Sequence, residues 1–294
     1  MNKKNCDLKD HSSYSLLLLA NDTYFRLLYI CIKSICVVCK MEKINKIYIA
    51  DLGLCNNYQK TLEDLSDKIE IISTKTNIGN SKKLYSKDWI DAVSQKTAVL
   101  LMLIEKNNTP IIMLDSDTII IEDFSSCIDF SYDIQICKRT RPLFRKDGFV
   151  LEYIASFFIA NNIKARTFVI AWVNRLAQRV KSEMLPPHET PAMVDILRDN
   201  TELKIGFLDE NVVSCENNYI KNITKIIHAK SRTPNDCVSI YRFANVKRLP
   251  HKKILNLFDS FYEKILFIAV YVFKKIFSLY DLKKKIKHIL GNFT

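Results

Sequence analysis

Short, wholly apolar runs alternate with amphipathic ones through the first half of the chain, and this alternation limits the fold more than any other feature of the sequence. Tyr14–Ala20 (YSLLLLA) reads as a strand covered on both faces, since neighbouring strand residues point to opposite sides of a sheet. Residues 23–40 then carry Phe25, Leu28, Ile32 and Ile35 at helical spacing. Residues 46–51 are a second strand, 57–65 a second helix and 68–73 a third strand. A polar stretch reaches Lys87, a helix follows over 91–106, and Pro110 closes it. Residues 111–121 form a fourth strand, interrupted by Asp115-Ser116-Asp117. Such alternation predicts an α/β fold with a mixed, mostly parallel sheet flanked by helices. The second half is mixed, with strands over 133–138, 153–160, 203–208 and 224–228 and helices over 165–180 and at the end of 186–199.

In sheets of this kind a ligand lies beyond the carboxyl ends of the strands. Polar residues stand at each of those ends: Asn21 and Asp22, Asp51, Ser73 and Thr74, then Asp115 and Asp117. Two carboxylates one residue apart on a strand share a side. Between the apolar runs IIML and TIII they are only partly solvated, and like charges there call for a cation between them. A divalent ion with oxygen ligands, Mn²⁺ or Mg²⁺, answers that need. The bland alternative is a pair of acids capping a turn.

Composition removes several function classes. The chain has five glycines and neither a P-loop nor a dinucleotide fingerprint, so any nucleotide is held by other means. A formal charge of +12 points to an anionic partner. No helix-turn-helix, zinc or aromatic-sheet context accompanies the cations, and nucleic acid is not expected as that partner. Nine cysteines without zinc spacing fit reduced thiols and a cytoplasmic location. Cys36 and Cys39 lie in an apolar helix and read as core filling. The run 16–20 is too short for a signal peptide or a membrane span.

After Pro250 the composition shifts, which divides the chain into domains 1–249 and 250–294. Leu255, Phe258, Tyr262, Leu266, Val270 and Phe273 recur at helical spacing among lysines, and Lys283, Lys284, Lys285 and Lys287 follow. A C-terminal amphipathic helical tail of this kind fits an anionic membrane surface. The alternative is a helix packed on the domain or on another subunit.

Three segments together carry a family resemblance. They are Ala20-Asn21-Asp22-Thr23-Tyr24, Ile49-Ala50-Asp51-Leu52-Gly53-Leu54, and the Lys96 helix leading into Ile112-Met113-Leu114-Asp115-Ser116-Asp117-Thr118. They resemble GT-A (Rossmann-like) glycosyltransferases, above all family 8-like and related nucleotide-diphospho-sugar transferases, over residues 14–235. The resemblance implies a metal-dependent transfer of sugar from a nucleotide-diphosphate sugar, a UDP-sugar by preference, to a cell-surface glycan or glycolipid acceptor. It also implies retention at the anomeric carbon. Asp117 and the later His228 would bind the metal, and Asp115 the metal or the ribose. Ala20, Asn21, Asp22, Tyr24, Asp51 and Ser116 would line the donor pocket, with Lys96 beside the sugar-nucleotide.

The chain departs from the family at two places. His188-Glu189 stands where an Asp-Gln pair is usual, and Glu189 would position the acceptor or steady positive charge on the sugar, with His188 beside it. Ala229-Lys230-Ser231-Arg232 replaces a Gly-containing turn, and Lys230 would meet the diphosphate. Acceptors held at the inner face of a bacterial membrane, such as lipopolysaccharide or capsule precursors, suit such an enzyme with a basic tail. Two other readings compete. One is a phosphatase-type hydrolase using an aspartyl nucleophile, which usually opens the first strand and has Gly where Thr118 stands. The other is an inactive membrane-surface binding protein.

Overall fold

The computed structural model describes residues 13–228, apart from 75–85, 145–148, 183, 185, 187, 200–201, 215–219 and 221. The proposed division at 249/250, the basic tail and Lys230 lie outside the described residues.

Three strand–helix units open the fold. They comprise β1 (Tyr14–Ala20), α1 (Phe25–Val38), β2 (Ile44–Asp51), α2 (Asn56–Glu63), β3 (Ile69–Ser73) and α3 (Lys87–Lys106). There follow β4 (Ile111–Leu114), β5 (Thr118–Ile120), β6 (Ile134–Phe144) and β7 (Val150–Ala160). The remaining elements are α4 (Ala165–Lys181), α5 (Glu189–Asp199), β8 (Ile205–Asp209), β9 (Val213–Ser214) and β10 (Ile226–His228). The main sheet runs β3-β2-β1-β4-β7-β6-β8, and only β7 is reversed. This is the expected Rossmann-like α/β arrangement. A second sheet runs β5-β10-β9.

The continuous apolar run of β1 explains its central place. Leu16 and Leu18 pack on one side with Leu28, Cys31, Ile32 and Ile35 of α1. Leu17 packs on the other with Val99, Leu100 and Leu103 of α3 and with Phe168 and Trp172 of α4. All three leucines are fully buried, and burying each stabilises the fold by about 1.5–3 kcal/mol. α3 begins four residues before the predicted 91, because the Ser86 hydroxyl caps it by accepting from Trp89 N at 3.3 Å.

The predicted fourth strand, 111–121, is two strands in different sheets. The Ser116 hydroxyl donates to the Leu19 carbonyl, and Thr118 N donates to Asp115 O at 3.2 Å, closing a turn. The chain leaves the main sheet there, and β5 pairs with β10 instead. β9, two residues long, has no sequence signal and exists through its pairing with β10. Among the described residues no helix is long and apolar enough to cross a membrane.

Candidate functional site

Because β1, β2, β3 and β4 run in parallel, Ala20, Asp51, Ser73 and Leu114 end at one edge of the sheet. The loops there interlock. Asn21 Oδ1 accepts from Tyr24 N at 3.2 Å and caps a single 3-10 turn, Asp22–Tyr24. The Asp22 carboxylate accepts from Cys55 N at 2.7 Å, and Leu52 N donates to Ala20 O at 2.9 Å. Asp51 Oδ1 accepts from Gly53 N and Leu54 N at 2.7 and 2.6 Å, and its Oδ2 accepts from Gln59 Nε2 at 2.9 Å. Gly53 has φ 116°, a left-handed backbone that only glycine adopts without strain. The carboxylates of Asp22 and Asp51 therefore already tie two loops together, and Ala20 and Asn21 are buried beside them.

The turn between β4 and β5 brings Asp115 and Asp117 under the end of β10. His228 Nε2 lies 3.4 Å from Asp115 Oδ2 and 3.1 Å from Asp117 Oδ1. One ligand atom from each residue lies within 4.8 Å of the others, a set that can hold a divalent ion. The shared side of the two acids comes from this turn rather than from the strand pleat assumed from sequence. Tyr24 stands close enough to feel both acids. Its phenol is pushed up to about 12 by burial first, then by Asp117 and Asp115.

A cation sits behind the acids. Lys96, 6% exposed in the middle of α3, forms an ion pair with Asp115 Oδ1. Burial alone would depress its ammonium, but Asp115, Glu189 and Asp117 hold it above the ordinary lysine range. Glu189, in the first turn of α5, is a second, half-buried acid acting on this lysine. Burial would raise the Glu189 carboxyl, and contact with His188 and the Lys96 charge overcome that, holding it down at about 2. His188 Nδ1 lies 3.4 Å from Glu189 Oε2. The His188 ring meets Trp89 edge-on at 5.7 Å. The structure thus links Asp115, Asp117, His228, Lys96, Tyr24 and Glu189, and leaves Asp22 and Asp51 as loop anchors at the same edge.

Two supports of the site carry no sequence signal. Trp172, fully buried in α4, donates its indole N–H to the Glu189 carbonyl at 2.8 Å. Under the acids, Thr118 Oγ1 donates to Asp115 O at 2.8 Å and lies 3.2 Å from Cys31 Sγ. The hydroxyl has one proton, so the Cys31 thiol is the donor of that second contact. Burial pushes this thiol up to about 12, and Asp117 and Asp115 add to the effect. Asp195 and Asp199, on α5, are engaged by arginines of α4. Arg179 grips Asp195 at 2.8 and 3.0 Å, and Arg175 lies 3.3 Å from each acid.

A family model described as nucleotide-diphospho-sugar transferase matches residues 57–236. Among solved structures, the chain is similar to galactosyltransferase LgtC in complex with donor and acceptor sugar analogs. The TM-score is 0.57 at 13% identity, over 84% of this chain and 97% of that one. The apo bifunctional glycosyltransferase WbbM is similar with TM-score 0.58 at 12% identity, over 91% of this chain and 52% of that one. Mouse xyloside xylosyltransferase 1 gives 0.51 at 12% identity, over 76% and 99%. At these identities the likeness is one of fold. No curated protein sequence matches significantly.

Proposed function

The chain belongs to the nucleotide-diphospho-sugar transferase family, and from that premise we propose that it moves a hexose from a UDP-sugar to a cell-surface glycan or glycolipid, with retention at the anomeric carbon. The observation that carries this reading is the Asp115, Asp117 and His228 set at the carboxyl edge of the sheet. Two carboxylates and an imidazole are a donor set suited to Mn²⁺, with Mg²⁺ as the alternative. When bound, such an ion neutralises charge on the departing nucleoside diphosphate.

The chain's own residues supply the rest of the chemistry. Tyr24, Ala20 and Asn21 form the nucleoside wall, braced by the carboxylates of Asp22 and Asp51. Ser116 holds the acidic turn against β1 through its bond to Leu19 O. Lys96 keeps a fixed positive charge beside the acids and orients Asp115. Glu189 stays ionised and faces that lysine, so it can steady positive charge as it develops on the sugar ring. His188 orients Glu189 and the acceptor hydroxyl, and Lys230 meets the diphosphate.

Calorimetry of UDP with and without Mn²⁺ tests the reading. We expect UDP to bind tightly only with the metal, and Asp117→Asn to abolish that dependence. Hydrogen-bond partners standing behind a metal ligand already cost about 10–100-fold when removed, so loss of a direct ligand should cost more. Equal UDP binding with and without Mn²⁺ would sink the metal-centred assignment.

The basic segment 250–294 is assigned to the inner face of a bacterial membrane, where lipopolysaccharide or capsule precursors are held. Its content of lysines and aromatic residues supports this. Sedimentation with anionic liposomes should be weakened when these residues are removed, and unchanged sedimentation would refute the assignment.

A further inference from the structure

α1 carries one buried hydroxyl. Ser34 is fully buried on a helix whose other buried residues are leucine, isoleucine and cysteine. A serine there neither favours the helix nor adds apolar surface to the core, so its place has another cause. Its single proton goes to the Cys31 carbonyl at 2.6 Å, one turn back on the helix. The hydroxyl oxygen is left to accept, and Ile120 N donates to it at 2.9 Å.

Ile120 lies in β5, an edge strand of the small sheet. β5 meets β10 as Thr118↔His228, Ile119↔Ile227 and Ile120↔Ile226. In an antiparallel pair alternate residues turn their N–H groups away from the partner strand. Those of Thr118 and Ile120 are turned away, and they donate to Asp115 O at 3.2 Å and to Ser34. A side chain of α1 therefore closes the outer edge of β5, where a further strand would otherwise stand. One turn earlier on α1, Cys31 Sγ lies 3.2 Å from Thr118 Oγ1. Residues three apart on the helix thus meet residues two apart on the strand, and the two contacts fix how far along α1 the strand rests.

That seat acts on what β5 carries. Asp117 directly precedes the strand, and His228 is the partner of its first residue. Asp115 is tied instead to the main sheet, where its N–H donates to Ser156 O of β7 at 3.1 Å. The separation of Asp117 and His228 from Asp115 is set by where β5 rests on α1. Ligand distances to a metal ion tolerate only a few tenths of an ångström, and groups that orient the ligands without touching the ion change its affinity. We propose that Ser34 is a positioning residue for the divalent-metal set, its hydroxyl seating β5 on α1 so that Asp117 and His228 meet Asp115 at ligand distance. This rests on the metal assignment of Asp115, Asp117 and His228, and it gives Ser34 no contact with metal or substrate. Ser34→Ala leaves the Ile120 N–H buried without its acceptor, which favours a shifted or loosened β5.

The full chain is tested unaltered and as Ser34→Ala, Ser34→Thr and Ile47→Val, the last trimming a fully buried side chain of β2 in the main sheet. Mn²⁺ affinity is read from the paramagnetic resonance signal of the free ion at saturating UDP, and the seat of β5 from amide exchange of the metal-free chain. Ser34→Ala should bind Mn²⁺ about tenfold more weakly, the lower end of what loss of a group behind a metal ligand costs. Its circular dichroism should match the unaltered chain, and its Ile120 amide should exchange faster by a larger factor than the amides of β2. Ser34→Thr keeps the hydroxyl and should bind Mn²⁺ as the unaltered chain does. Ile47→Val should lower the urea midpoint and leave Mn²⁺ affinity as it was. Unchanged affinity in Ser34→Ala overturns the proposal. So does an equal loss in Ile47→Val, which would reduce Ser34 to a matter of stability, or Ser34→Thr binding as weakly as Ser34→Ala. If the unaltered chain itself binds no Mn²⁺, the metal assignment falls, and the role of Ser34 falls with it.

Discussion

At the scale of single residues, the site is organised by a buried lysine between two acidic groups. Asp115 and Glu189 are 74 residues apart in sequence, and Lys96 is in contact with one and in the field of the other. Nothing in the spacing of these residues announces that arrangement. The acids of Asp115-Ser116-Asp117 were legible because apolar runs enclose them, whereas His228 was legible only through the family resemblance. The Glu189 environment leads to a pH prediction. Its carboxyl sits at about 2 in the folded chain against an ordinary value of 4.5, so its ionised form favours folding. That contribution is whole above pH about 4.5 and is lost as pH falls toward about 2, to the extent of about 3 kcal/mol. Urea midpoints measured across this range should fall more steeply for the unaltered chain than for Glu189→Gln. Parallel curves for the two proteins would show that the carboxylate is not held by His188 and Lys96.

At the scale of elements, strands one to three and helices one to four stood in the sequence nearly as they fold, because each carries a period that local geometry dictates. The fourth strand did not. Thr118–Ile120 continues the apolar character of Ile111–Leu114, and only tertiary bonds divide them: Ser116 to Leu19, and Thr118 back to Asp115. The placement of α5 was equally hidden. It rests on α4 through Arg179 and Asp195 at its middle and through Trp172 and the Glu189 carbonyl at its first residue. Trp172 is therefore a positioning residue for Glu189. Trp172→Phe keeps most of the ring in the core and removes the N–H donor. It should cost about 1 kcal/mol in stability, the usual worth of one such bond plus little cavity. If the first turn of α5 holds Glu189 in register, kcat should fall while KM for the donor stays near its original value. A fall in stability with kcat unchanged would reduce Trp172 to a core residue.

At the scale of the whole molecule, the acids lie at the joint between two sheets. Asp115 follows the last residue of β4 in the seven-stranded sheet, Asp117 precedes the first residue of β5, and His228 ends β10 in the three-stranded sheet. The small sheet is held to the rest by α1 against β5 and by apolar contacts of Ile120, Val213 and Ile226 in the core. Without a cation, the three groups at the joint offer two negative charges and one imidazole, with Lys96 ion-paired to Asp115. A ligand bound only by the folded joint stabilises it by RT ln(1 + [L]/Kd), about 2.7 kcal/mol at a hundredfold excess over Kd. That energy acts on whichever opening separates the sheets. Amide exchange should therefore slow on adding Mn²⁺ with UDP in β5, β9 and β10, and by a similar factor in those amides of β1 and β2 that exchange through global unfolding, because both openings break the joint. Asp117→Asn should remove this ligand-dependent protection in all of these strands. Slowing in β1 and β2 without slowing in β5, β9 and β10 would mean that the small sheet opens without breaking the site, and the joint would then be no clasp between the two sheets.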